Sequence, residues 1–274
     1  MTGNTPAVFV VGFQKCASTW LHKCLGEVPG ICVAERHMTH YYDINYDKGS
    51  AWYRARFSSS EPDAMLVDTT VTYALDDAAL ARIAAAVEEP LFIFMLRDPV
   101  KRAFSHYWHE KQKKRIDYAF EEVFSNYDLY SSWVLPGFYH AHLRRAERIV
   151  PRARTLVLLA EDINKQPEVE MERVLEFLNV AASCPPSTRA KVNVSANKAI
   201  RNPSLWEKTR AQIIRRMPAS VRHFGIAAPV DQALKNEYER GMNEETKARL
   251  TAVYREDTTL LRTLLGRDLH EWNT

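Results

Sequence analysis

An apolar run near the start of the sequence ends in a short polar loop and is followed directly by a segment that favours a helix. The run extends from Val8 to Gly12, the loop carries Lys15, and the helical segment begins near Ser18 and Thr19. In such a strand–loop–helix unit, the first backbone N–H groups of the helix lack partners and the positive end of the helix dipole faces the loop. Lys15 adds a charge and the two hydroxyls add donors, so the segment predicts a pocket for a phosphate or sulfate ester.

The spacing within this loop differs from that of nucleoside triphosphate loops, which follow G-x-x-x-x-G-K-[ST]. Lys15 follows Gly12 by three residues, and no second glycine precedes it. A loop this short fits one phosphate at the 5′ end of a nucleotide. Taken alone, the segment is also compatible with an ordinary strand-to-helix turn that carries an exposed lysine.

A second apolar run also ends in cationic and hydroxyl side chains. Residues 91–96 are continuously apolar, which is typical of a strand buried on both faces of a parallel sheet. Arg97 follows the run, Pro99 suits the first turn of a helix, and Ser105 lies about two turns further on. An arginine fork together with a hydroxyl suits a second, separate phosphate.

Strand-like and helix-like segments alternate along the chain without a linker, repeat or low-complexity tract. The predicted strands span residues 7–12, 31–34, 65–68, 91–96 and 155–159, and the predicted helices span 18–27, 76–87, 119–126, 137–149 and 167–178, with a long helix that ends near Lys114. Residues 183–203 resemble a loop, and the chain is mostly helical from 205 onward. This alternation predicts one α/β domain over residues 1–274, in which helices flank a central parallel sheet. Ligands of such sheets bind at the carboxyl ends of the strands, where both polar segments fall.

Bulk charge and cysteine content limit the expected partners and location. The net charge is only +3, which gives no reason to expect nucleic acid as a partner. No apolar stretch reaches the ~18 residues of a membrane span, and no signal sequence is evident, so no membrane partner is expected. The four cysteines have no C-x-x-C spacing, and a disulfide at Cys16 would obstruct the anion loop. We therefore expect reduced thiols and a cytoplasmic protein.

Together, the two polar segments resemble those of the sulfotransferases that use 3′-phosphoadenosine 5′-phosphosulfate (PAPS). In that family a loop like G-x-x-K-x-x-[ST]-T binds the 5′-phosphosulfate, and R-x-P-x-x-R-x-x-S binds the 3′-phosphate. Further similarity lies at residues 137–139, 156–162 and 265–272. The resemblance is closest to the heparan-sulfate and bacterial carbohydrate and small-molecule branch. Golgi members usually carry a membrane anchor, and none is evident here, so a bacterial-type soluble enzyme is expected.

The resemblance implies a P-loop-like fold and transfer of a sulfuryl group from PAPS to a hydroxyl or nitrogen, without a metal. It also implies which residues bind PAPS: Lys15, Cys16, Ala17, Ser18 and Thr19 in the loop, then Arg97 and Ser105. A late loop that is often K-G-R in relatives matches residues 193–201, where Lys198 and Arg201 are expected to close over the 3′-phosphate. Lys15 is predicted to be catalytic as well, because it can neutralise the oxygen that leaves sulfur.

Sulfuryl transfer also needs a base for the acceptor proton. Relatives of the heparan-sulfate branch use a glutamate about 22 residues after the loop lysine, and the same count from Lys15 reaches His37. A histidine suits this role, since its ordinary pKa of about 6.5 leaves it mostly neutral at pH 7. Glu35 and His40 remain alternatives for the base. Thr69 occupies the place of a lysine that many relatives carry.

The acceptor is expected to be a small molecule or a carbohydrate, bound in part by aromatic, histidine and hydroxyl side chains. The predicted acceptor-binding residues are Glu35, His40, Tyr41, Thr70 and Tyr107. A kinase-like phosphotransferase and a catalytically inactive PAPS-binding protein are alternative functions, and a homodimer is left open. The natural product or carbohydrate that is modified cannot be read from these residues.

Overall fold

The computed structural model describes residues 6–58, 63–113, 115–189, 238 and 240–272. Within these ranges, five strands form one parallel sheet in the order β2-β3-β1-β4-β5. The strands are β1 (Val8–Gly12), β2 (Ile31–Val33), β3 (Met65–Asp68), β4 (Leu91–Leu96) and β5 (Arg154–Leu159). β1 is therefore the central strand, and its two neighbours are β3 and β4.

Helices connect the strands and cover the sheet. They are α1 (Ser18–Leu25), α2 (Gly49–Arg54), α3 (Asp77–Ala86), α4 (Pro99–Gln112), α5 (Tyr127–Trp133), α6 (Tyr139–Ile149), α7 (Ala160–Lys165), α8 (Pro167–Phe177) and α9 (Glu244–Leu265). Short polar side chains start several of them: Asp76, Asp98, Asn126 and Asn243 each accept backbone N–H groups of the first turn. None of the helices in the described ranges is both long and apolar enough to cross a membrane.

The buried side chains explain why the central strands lie where they do. All five residues of β1 and the last five of β4 are buried, as expected for strands that are covered on both faces. A second apolar cluster lies between α4, α5 and α9 and includes Trp108, Trp133 and Tyr254. This second cluster fixes α4 to the rest of the molecule, and α4 carries the predicted 3′-phosphate site.

The predicted fold class is confirmed, and one predicted helix is wrong. The strands at 65–68 and 91–96 have the expected bounds. In place of a helix at 119–126, a 3-10 turn spans Phe120–Phe124 and α5 then begins at Tyr127. The reason is Asn126, whose side chain accepts the N–H groups of Asp128 and Leu129 and so starts a new helix.

Candidate active site

The anion loop, residues 13–17, leaves β1 and enters α1 with an unusual backbone. Lys15 and Ala17 have φ angles of 71° and 73°, in the left-handed region. The N–H of Phe13 donates to the carbonyl of Met95 at 2.9 Å, which ties the loop to β4. Ala17 precedes α1 and offers no side-chain cap, so the first N–H groups of the helix face the loop without one. This arrangement suits an anion.

Within this loop, Cys16 directs its thiol into the protein. The side chain is fully buried, and Sγ lies 3.9 Å from the hydroxyl of Tyr139. Burial raises the pKa of the Cys16 thiol to about 12. The predicted contact of Cys16 with PAPS would therefore come from its backbone. Ser18 is also buried, whereas Thr19 is exposed.

The second anion segment lies beside the loop because β1 and β4 are neighbours in a parallel sheet. The guanidinium Nη1 of Arg97 donates to the carbonyl of Lys15 at 3.3 Å. The hydroxyl of Tyr139 donates a hydrogen bond to the Arg97 carbonyl at 2.8 Å. Ser105, which lies on α4, is buried. The structure thus brings the Lys15 and Arg97 segments to one edge of the sheet. Lys198 and Arg201, predicted to complete this site, lie outside the described residues.

A buried carboxylate holds the segment from His37 to Asp43, which we call the 37–43 segment. Asp68, at the end of β3, has no exposed surface and accepts hydroxyl hydrogen bonds from Thr39, Tyr53 and Tyr73 at 2.8–2.9 Å. Thr70 donates its hydroxyl to the same carboxylate at 2.6 Å. Burial raises the pKa of Asp68, and these hydrogen bonds oppose part of the rise.

The hydroxyls bound to Asp68 in turn accept backbone N–H groups of the 37–43 segment. Thr70 accepts from Thr39 and His40 at 3.0 and 3.2 Å, and Tyr73 accepts from Tyr41 and Tyr42 at 3.0 and 3.3 Å. Each of these backbone groups is thereby satisfied inside the protein. The segment is anchored to the sheet by side chains of the adjacent loop.

Three of the predicted acceptor-binding residues are interior residues in this structure. Thr70 has no exposed surface, Tyr41 stacks on Tyr53 with ring centroids 4.2 Å apart, and Tyr107 is 2% exposed. Each contributes to packing or to hydrogen bonds within the protein. Their predicted contact with an acceptor stays a prediction.

The two alternatives to His37 as base have partners of their own. Glu35 is exposed and accepts a hydrogen bond from Ser58. His40 has a φ of 51°, and its Nδ1 lies 3.0 Å from Asp43 Oδ2. The hydrogen bond with Asp43 raises the pKa of His40. This pair stabilises the turn at the end of the 37–43 segment.

His37 lies beside a histidine that sequence reasoning missed. Its ring meets that of His22 edge to face, with centroids 5.0 Å apart. His22 Nδ1 lies 2.9 Å from the hydroxyl of Thr69, and that hydroxyl donates to the His37 carbonyl. Burial, and then the charge of the nearby His37, lower the pKa of His22 to about 4. The signal available in the sequence was spacing, since His22 follows Ser18 by one helical turn.

Two further histidines of α4 lie close to Lys15. Burial lowers the pKa of His106 to about 3, with Arg102 and Lys15 adding to the effect. Burial and then Lys15 lower the pKa of His109 to about 4. Both rings are therefore neutral at pH 7. Among the described residues, no group of three or more His, Cys, Asp or Glu side chains is placed to share a metal ion.

Comparison with known families agrees with this geometry. The sulfotransferase domain family matches residues 5–262. The chain belongs to the sulfotransferase family. Human heparan sulfate glucosamine 3-O-sulfotransferase 3B1 is 29% identical over 181 residues, which cover 64% of this chain and 46% of that protein. The human bifunctional heparan sulfate N-deacetylase/N-sulfotransferase 2 is 26% identical over 194 residues, covering 64% and 22%.

A solved structure supports the same fold. A sulfotransferase from Alicyclobacillus acidocaldarius superposes with a TM-score of 0.71 at 20% identity, covering 99% of this chain and 100% of that one. By contrast, the chain spans less than half the length of the two curated relatives. The family match itself extends over most of the chain, residues 5–262.

Proposed function

We propose that this sulfotransferase moves a sulfuryl group from PAPS to a hydroxyl or nitrogen of a carbohydrate or small molecule and releases 3′,5′-ADP. The observation that carries the proposal is the contact between Arg97 and the carbonyl of Lys15 at the carboxyl edge of β1 and β4. This contact brings together two proposed anion-binding segments that are far apart in the sequence. A nucleotide with phosphates at both its 5′ and 3′ ends requires two such segments.

The residues of the anion loop and of the Arg97 segment are compatible with bound PAPS. Gly12 allows close packing at the start of the loop, since an added Cβ would lie 3.2 Å from the Cβ of Ala74. The helix N-terminus and Lys15 suit the 5′-phosphosulfate, and Arg97 with Ser105 suits the 3′-phosphate. In the proposed function the backbone of residues 16–19 supplies the remaining donors.

The reaction requires the protein to stabilise a developing charge, to accept a proton and to position the reactants. The acceptor oxygen or nitrogen forms a bond to sulfur while the bond from sulfur to the bridging phosphate oxygen breaks, and that oxygen takes the electron pair. Lys15 stabilises the negative charge that develops there. His37 accepts the proton of the acceptor. Positioning and charge stabilisation dominate, as in phosphoryl transfer.

The names of the two curated relatives favour a sugar as the acceptor. Both are described as acting on heparan sulfate or its glucosamine, one at an oxygen and one at a nitrogen. We extend to this chain only the shared chemistry, a polar acceptor that bears a hydroxyl or amino group. A cytoplasmic location is part of the proposal, and the four free cysteines support it.

Calorimetry with 3′,5′-ADP, 5′-AMP and ATP tests the donor. The protein should bind 3′,5′-ADP much more tightly than 5′-AMP, because Arg97 and Ser105 contact the 3′-phosphate. Losing a bidentate arginine contact costs roughly 1.5–3 kcal/mol, or about tenfold or more in affinity, so Arg97→Ala should remove most of the preference. Arg152→Ala is the control, because it removes an equal charge from an exposed ion pair with Glu88.

Three outcomes decide among the functions considered. Equal affinity for 3′,5′-ADP and 5′-AMP would contradict PAPS as the donor. A preference for ATP would favour the phosphotransferase. Tight binding of 3′,5′-ADP with no sulfate transfer to any of a panel of sugars, phenols and amines would favour an inactive binding protein.

A further inference from the structure

Three residues that are distant in the sequence, one of which is the proposed base, contact one another in the structure. His22 lies on α1, Thr69 follows β3, and His37 begins the 37–43 segment. Nδ1 of His22 lies 2.9 Å from Thr69 Oγ1, and Thr69 Oγ1 donates to the backbone carbonyl of His37. The two imidazole rings meet at 83° with centroids 5.0 Å apart. His22 therefore contacts His37 both directly and through Thr69.

The hydroxyl proton of Thr69 determines the tautomer of His22. A hydroxyl has one proton to donate, and a carbonyl oxygen can only accept. Thr69 gives its proton to the His37 carbonyl, so its oxygen must accept from His22. Neutral His22 consequently carries its proton on Nδ1 and keeps a lone pair on Nε2.

His22 is also uncharged at the pH where the enzyme would work. Burial, and then the charge of His37, lower its pKa to about 4. A neutral His22 does not repel a proton that arrives on His37. Its ring packs against the His37 ring and so restricts the orientation of that ring.

We infer that His22 is a positioning residue, which sets the orientation of His37 through the hydroxyl of Thr69 and through contact between the rings. This inference rests on the proposed function, in which His37 accepts the acceptor proton. It assigns His22 no proton transfer of its own. It also links α1, which begins at the anion loop, to the residue on the opposite side of the reaction.

Matched substitutions separate positioning from proton transfer. His22→Asn keeps an N–H donor near the place of Nδ1, whereas His22→Leu keeps bulk and loses the donor. We expect the Leu variant to lower kcat by about 10–100-fold, as small misplacements of catalytic groups do, with unchanged affinity for 3′,5′-ADP. The Asn variant should recover most of kcat. Thr69→Val should resemble the Leu variant, and Thr69→Ser should resemble the wild type.

The pH profile supplies a readout that a purely structural role would not change. The acid limb of kcat/KM should move in His22→Leu and in Thr69→Val, because the surroundings of His37 change, and should stay in place in His22→Asn. A Leu variant with wild-type kcat and profile would overturn the inference. An Asn variant as impaired as the Leu variant would also overturn it, because the N–H donated to Thr69 would then not be what His22 contributes.

A measurement without turnover separates this inference from the proposed function. In protein labelled with ¹⁵N-histidine, the ring nitrogens of His22 should report the Nδ1–H tautomer at pH 7. Thr69→Val should shift the ring resonances of His37, and Thr69→Ser should leave them in place. An Nε2–H tautomer or unmoved His37 resonances would refute the positioning role, even if sulfate transfer is observed. Normal transfer by His37→Ala would instead refute the role of His37.

Discussion

The anion loop and the 37–43 segment border the same proposed site, but different parts of the chain fix their shapes. The loop is set by its backbone, with left-handed φ angles at Lys15 and Ala17 and a hydrogen bond from the Phe13 N–H to the carbonyl of Met95. The 37–43 segment is set by side chains, since hydroxyls bound to Asp68 hold its N–H groups.

This difference predicts different responses to mutation. A pocket made of backbone N–H groups tolerates many side-chain changes, provided that the lysine remains. The 37–43 segment depends on individual hydroxyls, each of which has a specified partner. The anion-binding geometry of the loop should therefore tolerate most side-chain changes, and the geometry on the acceptor side should be sensitive to single substitutions of buried polar residues.

The largest expected effects come from removing the reactive group of each region. His37→Ala should lower kcat by roughly 10²–10⁴-fold, the usual contribution of a positioned base, while affinity for 3′,5′-ADP stays nearly unchanged. Lys15→Ala should lower both kcat and affinity, because in the proposed function Lys15 contacts the bound phosphate and stabilises the departing charge. Steady-state kinetics and calorimetry measure the two quantities. Normal turnover in His37→Ala with loss in Glu35→Ala or His40→Ala would assign the base to another residue.

Removing the carboxylate that anchors the 37–43 segment should be the largest effect on stability. Asp68→Asn replaces an acceptor of four hydroxyl hydrogen bonds with a group that accepts at one atom only. Leaving buried donors unsatisfied should lower the free energy of unfolding by about 2–4 kcal/mol. Chemical denaturation at pH 7 measures this, with exposed Asp47→Asn as the control. A loss below about 0.5 kcal/mol, the range of ordinary surface substitutions, would contradict the anchoring role.

Acid should destabilise the protein through its buried histidines. The pKa of His142 is lowered to about 4, chiefly by burial, so the unfolded chain binds a proton that the folded chain does not. The free energy of unfolding should therefore fall as the pH drops below about 6.5, by up to about 1.4 kcal/mol per pH unit for each such proton. His142→Gln keeps a donor for the Leu135 carbonyl and should flatten the slope. An unchanged slope in this variant would show that His142 titrates normally.

The smallest expected effect concerns the ion pair at the end of the 37–43 segment. Because its hydrogen bond with Asp43 raises the pKa of His40, the pair stabilises the fold at acidic pH and loses this contribution as the pH rises through the raised pKa. His40→Asn should cost about 0.5 kcal/mol at pH 6 and nothing measurable at pH 9, given partial screening by solvent. Thermal unfolding at the two pH values checks this. An equal loss at both would mean that packing, not charge, is the source.

The sheet, and the edge of it that carries Lys15 and Arg97, could be predicted because both depend on local patterns in the sequence. A continuous apolar run gave the bounds of β4, a short strand-like segment gave those of β3, and each cationic segment directly follows a strand. Parallel strands then bring Lys15 and Arg97 to one edge without further information. The helix predicted at 119–126 failed because the cap at Asn126 competes with helical periodicity and prevails.

The surroundings of His37 could not be predicted for a physical reason. Counting from Lys15 reached His37, but its neighbours come from α1 and from the residue after β3. Their proximity depends on the left-handed turn at His40 and on the hydroxyls around Asp68. Contacts between such distant segments leave no periodic pattern of residues in the sequence. For the same reason the burial of Thr70 and Tyr41 was not foreseen.

The strand order also has a consequence for how the chain is made. Among the five strands of the sheet, β1 is synthesised before the others, yet Val8 pairs with Val67 of β3 and with Leu91 of β4. Until both partners have left the ribosome, the future centre of the sheet is an apolar strand with two open edges, which is prone to pair with other chains. The strand that later presents the anion loop thus depends on protection during synthesis.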